Sequence, residues 1–321
     1  MNSIGTMRTI PMLLILLISA CHRGMGDKNQ VAAASALFDQ FETVFYTRAD
    51  MLAVSGGYKL LHEQAADALR VPFASLLMGL DALGKSTSTE ILGSADAVLV
   101  GAKDFVPPDG LGSVQSKFCY IVVLGGRPPN LSKIFPASSM GNASGNPIWQ
   151  WTAPPQEGHP KPYTFYIAEL SRSFILIAND QEEIQSLTLK LSSTDRNAPT
   201  LGNLQAWAFV SWHDYWGYRR YRRVGVGDSE AAGMEDITST ATGLVFVVDF
   251  WQRAGRLRLL ASDGSTAERI NTRISRTRSP LPPLKPSGIG AWETNVRLTG
   301  DEKAVENMFV VMGMFGFAVY L

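Results

Sequence analysis

Two cysteines and four histidines in 321 residues leave little material for a disulfide framework or a metal centre. His22, His62, His159 and His213 are scattered, and none has a second histidine one helical turn away. No zinc-type spacing, EF-hand loop, P-loop, GxGxxG or GxSxG elbow occurs either. The sequence therefore assigns no catalytic residue, no metal and no cofactor. An enzyme of this sequence would depend on carboxylates brought together from distant positions. Excess charge of one sign is also missing, with 29 Lys plus Arg against 29 Asp plus Glu. No global field draws the chain to a polyanion, so nucleic acid is not an expected partner. No apolar run approaches the ~20 residues of a spanning helix. A hydrophobic content of 45% with 18% charged residues is that of a globular chain with a proper core.

The N-terminus carries the most specific signal. Arg8 provides a positive start, Met12 to Ile18 form an unbroken apolar stretch, and the small pair Ser19-Ala20 precedes Cys21. Ile18-Ser19-Ala20-Cys21 resembles the lipobox of bacterial lipoproteins, a likeness confined to the first 21 residues. It implies that residues 1–20 are a cleaved signal peptide and that Cys21 carries diacylglycerol and an acylated amino group. At about 0.8 kcal/mol per buried methylene, two or three chains make attachment effectively permanent. The alternatives are an ordinary signal peptide with a chance cysteine, or a buried N-terminal helix. His22 stands where an enterobacterial inner-membrane retention signal has Asp, so the resemblance implies the outer membrane, on its periplasmic or surface side. Residues 21–30 are polar and glycine-containing, a tether of roughly 15–18 Å mean span. With Cys21 lipidated, Cys119 has no intramolecular partner and is expected to act as a small buried hydrophobe.

Beyond the tether, residues 31–135 read as helical and then β, and 136–321 as a region of repeated hairpin-plus-helix units. The two form separate regions or one continuous domain. Ala-rich Val31 to Phe45 predicts a helix, Met51 to Ser55 a short strand, and Tyr58 to Arg70 and Pro72 to Leu83 two more helices. Ala97 to Gly101 and Phe118 to Leu124 are β-branched runs and predict neighbouring strands. Asn130 to Phe135 suits one short helix, and Ala137 to Lys161 is the most irregular part. Tyr163 to Leu170, a polar turn, Phe174 to Ala178 and a helix from Glu183 to Leu191 form one unit, with Asn179 as its cap and Glu182 reaching back. Gly243 to Trp251, Leu257 to Ala261 and a helix from Thr266 to Ile274 repeat it. Thr294 to Leu298 with a helix from Lys303 is a weaker third version. The proline-bearing stretch Arg276 to Gly290 is expected to be a stiff spacer outside any sheet. The resulting fold class is α+β: antiparallel sheets built from hairpin-plus-helix units, helices on one face, and an N-terminal helical segment.

Candidate binding residues are aromatic and basic. In Trp207 to Arg223 the first half, which includes Trp212, alternates like a strand, and the second half sets Arg219, Arg220, Arg222 and Arg223 beside Trp216, Tyr218 and Tyr221. Guanidinium groups beside aromatic rings suit an anionic lipid or glycan, or an envelope protein. The competing reading has the aromatics packed in the core and the arginines facing water or paired with downstream acids. Adjacent residues on a strand point to opposite faces, so His213-Asp214 is not a triad. Trp149 and Trp151 share one side of a strand if extended, either as core or as a stacking surface for a sugar. The uncharged C-terminus, Met308 to Leu321, reads as a helix end and a buried closing strand, Phe315 to Leu321, or else as an exposed apolar tail that binds membrane or a partner. These features predict a membrane-anchored envelope lipoprotein that binds or assembles without catalysis. The alternative is a ligand-binding or carbohydrate-active protein with a tryptophan-lined groove.

Overall fold

A computed structural model describes residues 29–38, 40–48, 91, 94–103, 117–134, 139–143, 145–153, 163–193, 215–220, 241–249, 254–261, 263–276 and 282–297. The expected signal peptide, Cys21, the expected elements between Met51 and Leu83, the first half of the Trp207 run, the expected helix from Lys303 and the apolar C-terminus lie outside them.

The described fold is sheet-rich and antiparallel. Twelve strands form it: β1 Thr43–Arg48, β2 Ala95–Lys103, β3 Lys117–Leu124, β4 Ser139–Ala143, β5 Asn146–Ala153, β6 Tyr163–Leu170, β7 Phe174–Ala178, β8 Tyr215–Arg220, β9 Ala241–Asp249, β10 Ala254–Ala261, β11 Lys285–Gly288 and β12 Ala291–Arg297. They make one sheet in the order β11-β12-β10-β9-β8-β1-β2-β3-β7-β6-β5-β4. The predicted neighbours β2 and β3 pair, and β3 also pairs with β7, so the sheet runs without a break across the boundary at 135/136.

Among the described residues, helices accompany the sheet at residues 29–38 (α1), Leu131–Ile134 (α2), Gln181–Ser193 (α3) and Ser265–Arg276 (α4), and Ile91 is also helical. The helix expected over Val31 to Phe45 ends early, because Thr43-Val-Phe-Tyr-Thr is β-branched and aromatic and pairs on both edges, with β2 and β8. α1 lays Ala33, Ala36, Leu37 and Phe38 on the sheet face that carries Val44, Tyr46, Leu99, Ile121 and Leu176. Gly101 sits beneath its end. A Cβ there would meet the Phe41 ring at 2.6 Å and Leu37 at 2.9 Å, so the close approach requires glycine. α3 buries Ile184, Leu187 and Leu191, spaced three, four and seven apart, on the same face. α4 does not join them. Its start abuts Trp292 on the opposite face, where a Cβ added at Gly264 would lie 3.5 Å from the ring. Asn271 there clasps Leu284 through both backbone groups, at 2.6 and 3.0 Å. The described helices thus do not establish the expected one-faced layer, and the two hairpin-plus-helix units turn to opposite faces.

Two other expectations are corrected. Residues 139–153, within the stretch read as most irregular, form the hairpin β4–β5, turned at Gly145 with φ +80°. Lys285–Gly288, expected to be spacer, is the edge strand β11, with Pro286 opposite Trp292. An edge tolerates proline because one side of the strand needs no ladder hydrogen bond.

Candidate functional site

The aromatic and basic residues singled out by sequence are dispersed by the fold. Tyr218 is 1% exposed and meets Phe38 edge-on at 5.1 Å, a core contact between β8 and α1. Trp216 occupies the β8 position between Tyr46 and Val247. Arg219 sits between Thr43 and Leu244, and Arg220 alternates to the other face, where its guanidinium donates to the Phe38 carbonyl at 3.1 Å. Strand periodicity therefore separates Arg219 from Arg220. Trp212, Tyr221, Arg222 and Arg223 lie outside the described residues, as does Cys21.

Trp149 and Trp151 are extended and on one side of β5, as expected for a strand, but their surroundings differ. Trp149 is 6% exposed and is core, opposite Ile167. Trp151 is half-buried and stacks on Phe165 at 5.8 Å. Phe165 in turn lies 6.1 Å from Phe118, which touches Tyr120 at 5.2 Å. A row of aromatic rings thus crosses β5, β6 and β3.

The densest set of charged groups is one that sequence reading did not single out. The Lys103 ammonium lies 2.6 Å from Glu183, and Lys117 lies 3.2 Å from Asp180 and 3.8 Å from Glu183. Lys103 also stands over the Phe41 ring at 5.4 Å. Asp180, not Asn179, caps α3. Its Oδ1 accepts the backbone N–H groups of Glu182 at 2.9 Å and Glu183 at 3.2 Å. The Asn179 side chain is held by the Phe118 N–H at 2.9 Å and extends the β3–β7 pairing instead. The only available signal was the spacing: a lysine at the end of β2 and another at the start of β3, which the register sets opposite each other, facing an acidic first helical turn.

These groups are set for holding rather than for reaction. Burial would raise the Asp180 carboxyl, but the Lys117 ammonium and the helix N–H groups outweigh it and hold it below its ordinary range. The hydrogen bond to Asp180 raises Lys117 against the opposing effect of burial, so its amine stays protonated. Beside them, burial first and the Glu183 charge second push the Cys119 thiol up, which makes it inert. Among the described residues, no group of three or more His, Cys, Asp or Glu is placed to hold a metal ion.

No protein-family profile matches the chain, and no curated protein matches it in sequence. Solved structures similar to it include three crystal forms of TP0453. Form I has a TM-score of 0.44 at 10% identity over 84% of this chain and 94% of that one. Form IV has 0.41 at 10% over 85% and 95%, and form III 0.40 at 10% over 83% and 94%. A likeness of this depth assigns no residue a role.

Proposed function

We propose that the chain is an envelope lipoprotein, anchored through lipid on Cys21 and acting as a non-enzymatic binding or assembly module. Its place is the outer membrane, on the periplasmic or surface side. One observation carries the non-enzymatic part: the charged groups that the described fold gathers serve as clamps and caps. Glu183 lies between two ammonium groups, and Asp180 and Asp263 each accept N–H groups at a helix start. The anchoring part rests on Ile18-Ser19-Ala20-Cys21. In fold class we read an α+β protein whose antiparallel sheet carries hairpin-plus-helix units.

The test expresses the full chain in a bacterial envelope and weighs its N-terminal peptide. An acylated Cys21, lost together with membrane attachment in Cys21→Ser, is expected. An unmodified or retained signal peptide contradicts the anchor. A pulldown from solubilised envelope follows, comparing wild type with the variant changed to Ala at Arg219, Arg220, Arg222 and Arg223. A partner lost only in the variant locates the recognition surface; unchanged partners remove the arginine run from it.

A second reading, a ligand-binding or carbohydrate-active protein, is favoured by Trp151, whose half-buried ring begins the aromatic row. Quenching of tryptophan fluorescence by glycans, abolished in Trp151→Ala, supports it. Silence across glycans, cell-wall fragments and lipids excludes it.

A further inference from the structure

One end of the sheet presents two arginines that the fold leaves unengaged. Pairing sets Arg48, Ala97, Val123, Phe174 and Leu170 in one row across β1, β2, β3, β7 and β6. Just beyond that row lie the β6–β7 turn, Ser171-Arg172-Ser173, and the continuation of β3 through Gly125 and Gly126 to Arg127. The two segments are neighbours, because the Leu124 N–H donates to the Ser173 carbonyl at 2.8 Å. Arg127 follows Leu124 by three residues, at most about 11 Å of chain. Both arginines are exposed, and neither guanidinium makes an ion pair or hydrogen bond among the described residues. Arg172 acts through space on Glu169, a partly buried carboxyl on β6. Asp96, the acid nearest the other segment, is turned against the Gly125 backbone, where a Cβ would collide with its carboxylate. Arg48, in the row itself, has an interaction of its own and contributes no free charge.

The turn is built to hold Arg172 where it is. Ser171 and Arg172 both occupy the left-handed region, at φ 47° and 56°, which a tight hairpin normally gives to Asn or Gly. Other residues adopt it at a cost in stability, and such a cost is kept where a side chain is needed. Ser173 secures the turn, its N–H donating to the Leu170 carbonyl at 2.9 Å and its hydroxyl to the Ser171 carbonyl at 3.3 Å. Beside it the Gly125 N–H donates to the Ser94 carbonyl at 3.1 Å, which fixes the chain from which Arg127 departs. The same end receives the start of the folded chain. Gln30 accepts the Tyr46 hydroxyl at 2.8 Å while Phe38 packs on Tyr218, so α1 runs back along β1 and residue 29 lies at the Arg48 end. β1 and β7 are three strand spacings apart, roughly 14 Å. Cys21 is eight residues upstream of residue 29. At ~3.3–3.6 Å per residue the reach between them is at most about 29 Å. An anchor on Cys21 can hold this end against a membrane.

We propose that Arg127 and Arg172 form a phosphate-binding pair that seats this end of the sheet on anionic phospholipid headgroups. The proposal rests on the lipid-anchor reading above. Each free guanidinium can grip a headgroup phosphate through paired N–H donors, and the anchor keeps both at high effective concentration there. Free phosphate and acidic glycans offer the same anionic oxygens without a membrane, and the test separates them.

The experiment uses the full chain with Cys21→Ser, so that binding reports the arginines and not the acyl chains. Its partition is measured onto vesicles of phosphatidylcholine alone and of phosphatidylcholine mixed with phosphatidylglycerol. Binding is expected only with the anionic lipid and weakens with added salt. Arg127→Ala and Arg172→Gly each lower it about fivefold, and together about 25-fold, from roughly fivefold per basic residue near such a surface. Arg172→Gly also relieves the turn, so urea denaturation should find it at least as stable as wild type, and its lost binding is then not lost folding. Arg269→Ala, exposed on α4 beyond the far end of β10, leaves binding unchanged. Equal binding to neutral vesicles, no binding, undiminished binding in Arg172→Gly, or equal loss in Arg269→Ala overturns the proposal. So does binding of inorganic phosphate or an acidic polysaccharide while vesicles are ignored. Acylated Cys21 without vesicle preference overturns the surface and leaves the anchor. Vesicle preference with an unacylated Cys21 supports the surface and overturns the anchor.

Discussion

The centre of the sheet and its β10–β12 flank are built from the same antiparallel pairing but face different surroundings. In β2, β3 and β7 side chains on both faces are buried: Val98 and Leu99, Ile121 and Val122, Ile175 and Leu176 are all inaccessible. Their sequences are continuous apolar runs, which strands buried on both faces require. In β10, Arg256-Leu-Arg-Leu259 alternates, with Leu257 and Leu259 buried and both arginines partly exposed on the other face. The centre has no room for chemistry, whereas the flank keeps one face available.

Cutting a buried side chain at the centre should have the largest effect. Leu99→Ala or Ile121→Ala is expected to cost about 2–5 kcal/mol, against less than about 1 kcal/mol for Arg256→Ala at its half-exposed ion pair. Urea denaturation measures both, and equal losses would erase the distinction between centre and flank.

The α3 clamp ranks next. Glu183→Ala leaves Lys103 and Lys117 facing one another without the carboxylate between them, and is expected to cost about 2–3 kcal/mol, below the range for a fully buried pair because the lysines reach water. Adding Lys103→Ala should recover part of that loss in a double-mutant cycle.

The pH dependence has two signs. Asp180 is lowered in the fold, so its contribution is present above the unfolded carboxyl range near ~3.9 and disappears as pH falls through the folded value. Lys117 is raised, so its contribution holds below the unfolded range near ~10.4 and disappears as pH rises through the folded value. Burial raises Glu169, only partly countered by Arg172. Its ionisation therefore penalises the fold at neutral pH, and Glu169→Gln should raise the melting temperature at pH 7 but not once the carboxyl is protonated in both states. A gain that persists in acid would refute this origin.

The smallest change expected is a gain. Ser171 and Arg172 hold φ of +47° and +56° in the tight turn between β6 and β7, where neither has glycine's freedom. Arg172→Gly should stabilise the hairpin by about 1 kcal/mol, read as a shift in the urea midpoint.

Continuous runs made the central strands legible, and Ala97 to Gly101 beside Phe118 to Leu124 needed no other signal. Long-range competition was not legible. Val31 to Phe45 satisfies helical spacing throughout, and only the pairing of β1 with β2 and β8 decides that Thr43 onward is strand. Asn179 and Asp180 are both able caps, and the demand of the Phe118 backbone settles which one turns to the helix. Lys285–Gly288 was hidden by Pro286, since an edge strand's tolerance of proline depends on its place in the sheet. For the candidate site, the competing core reading of the aromatics holds for Tyr218 and Trp149.

Hydrogen exchange on the full chain tests the division most directly. Exchange is expected to be slowest in β2, β3 and β7, whose side chains are buried on both faces, and faster in β10, β11 and β12. Protection spread evenly over the sheet, or centred on β5 and β6, would contradict it.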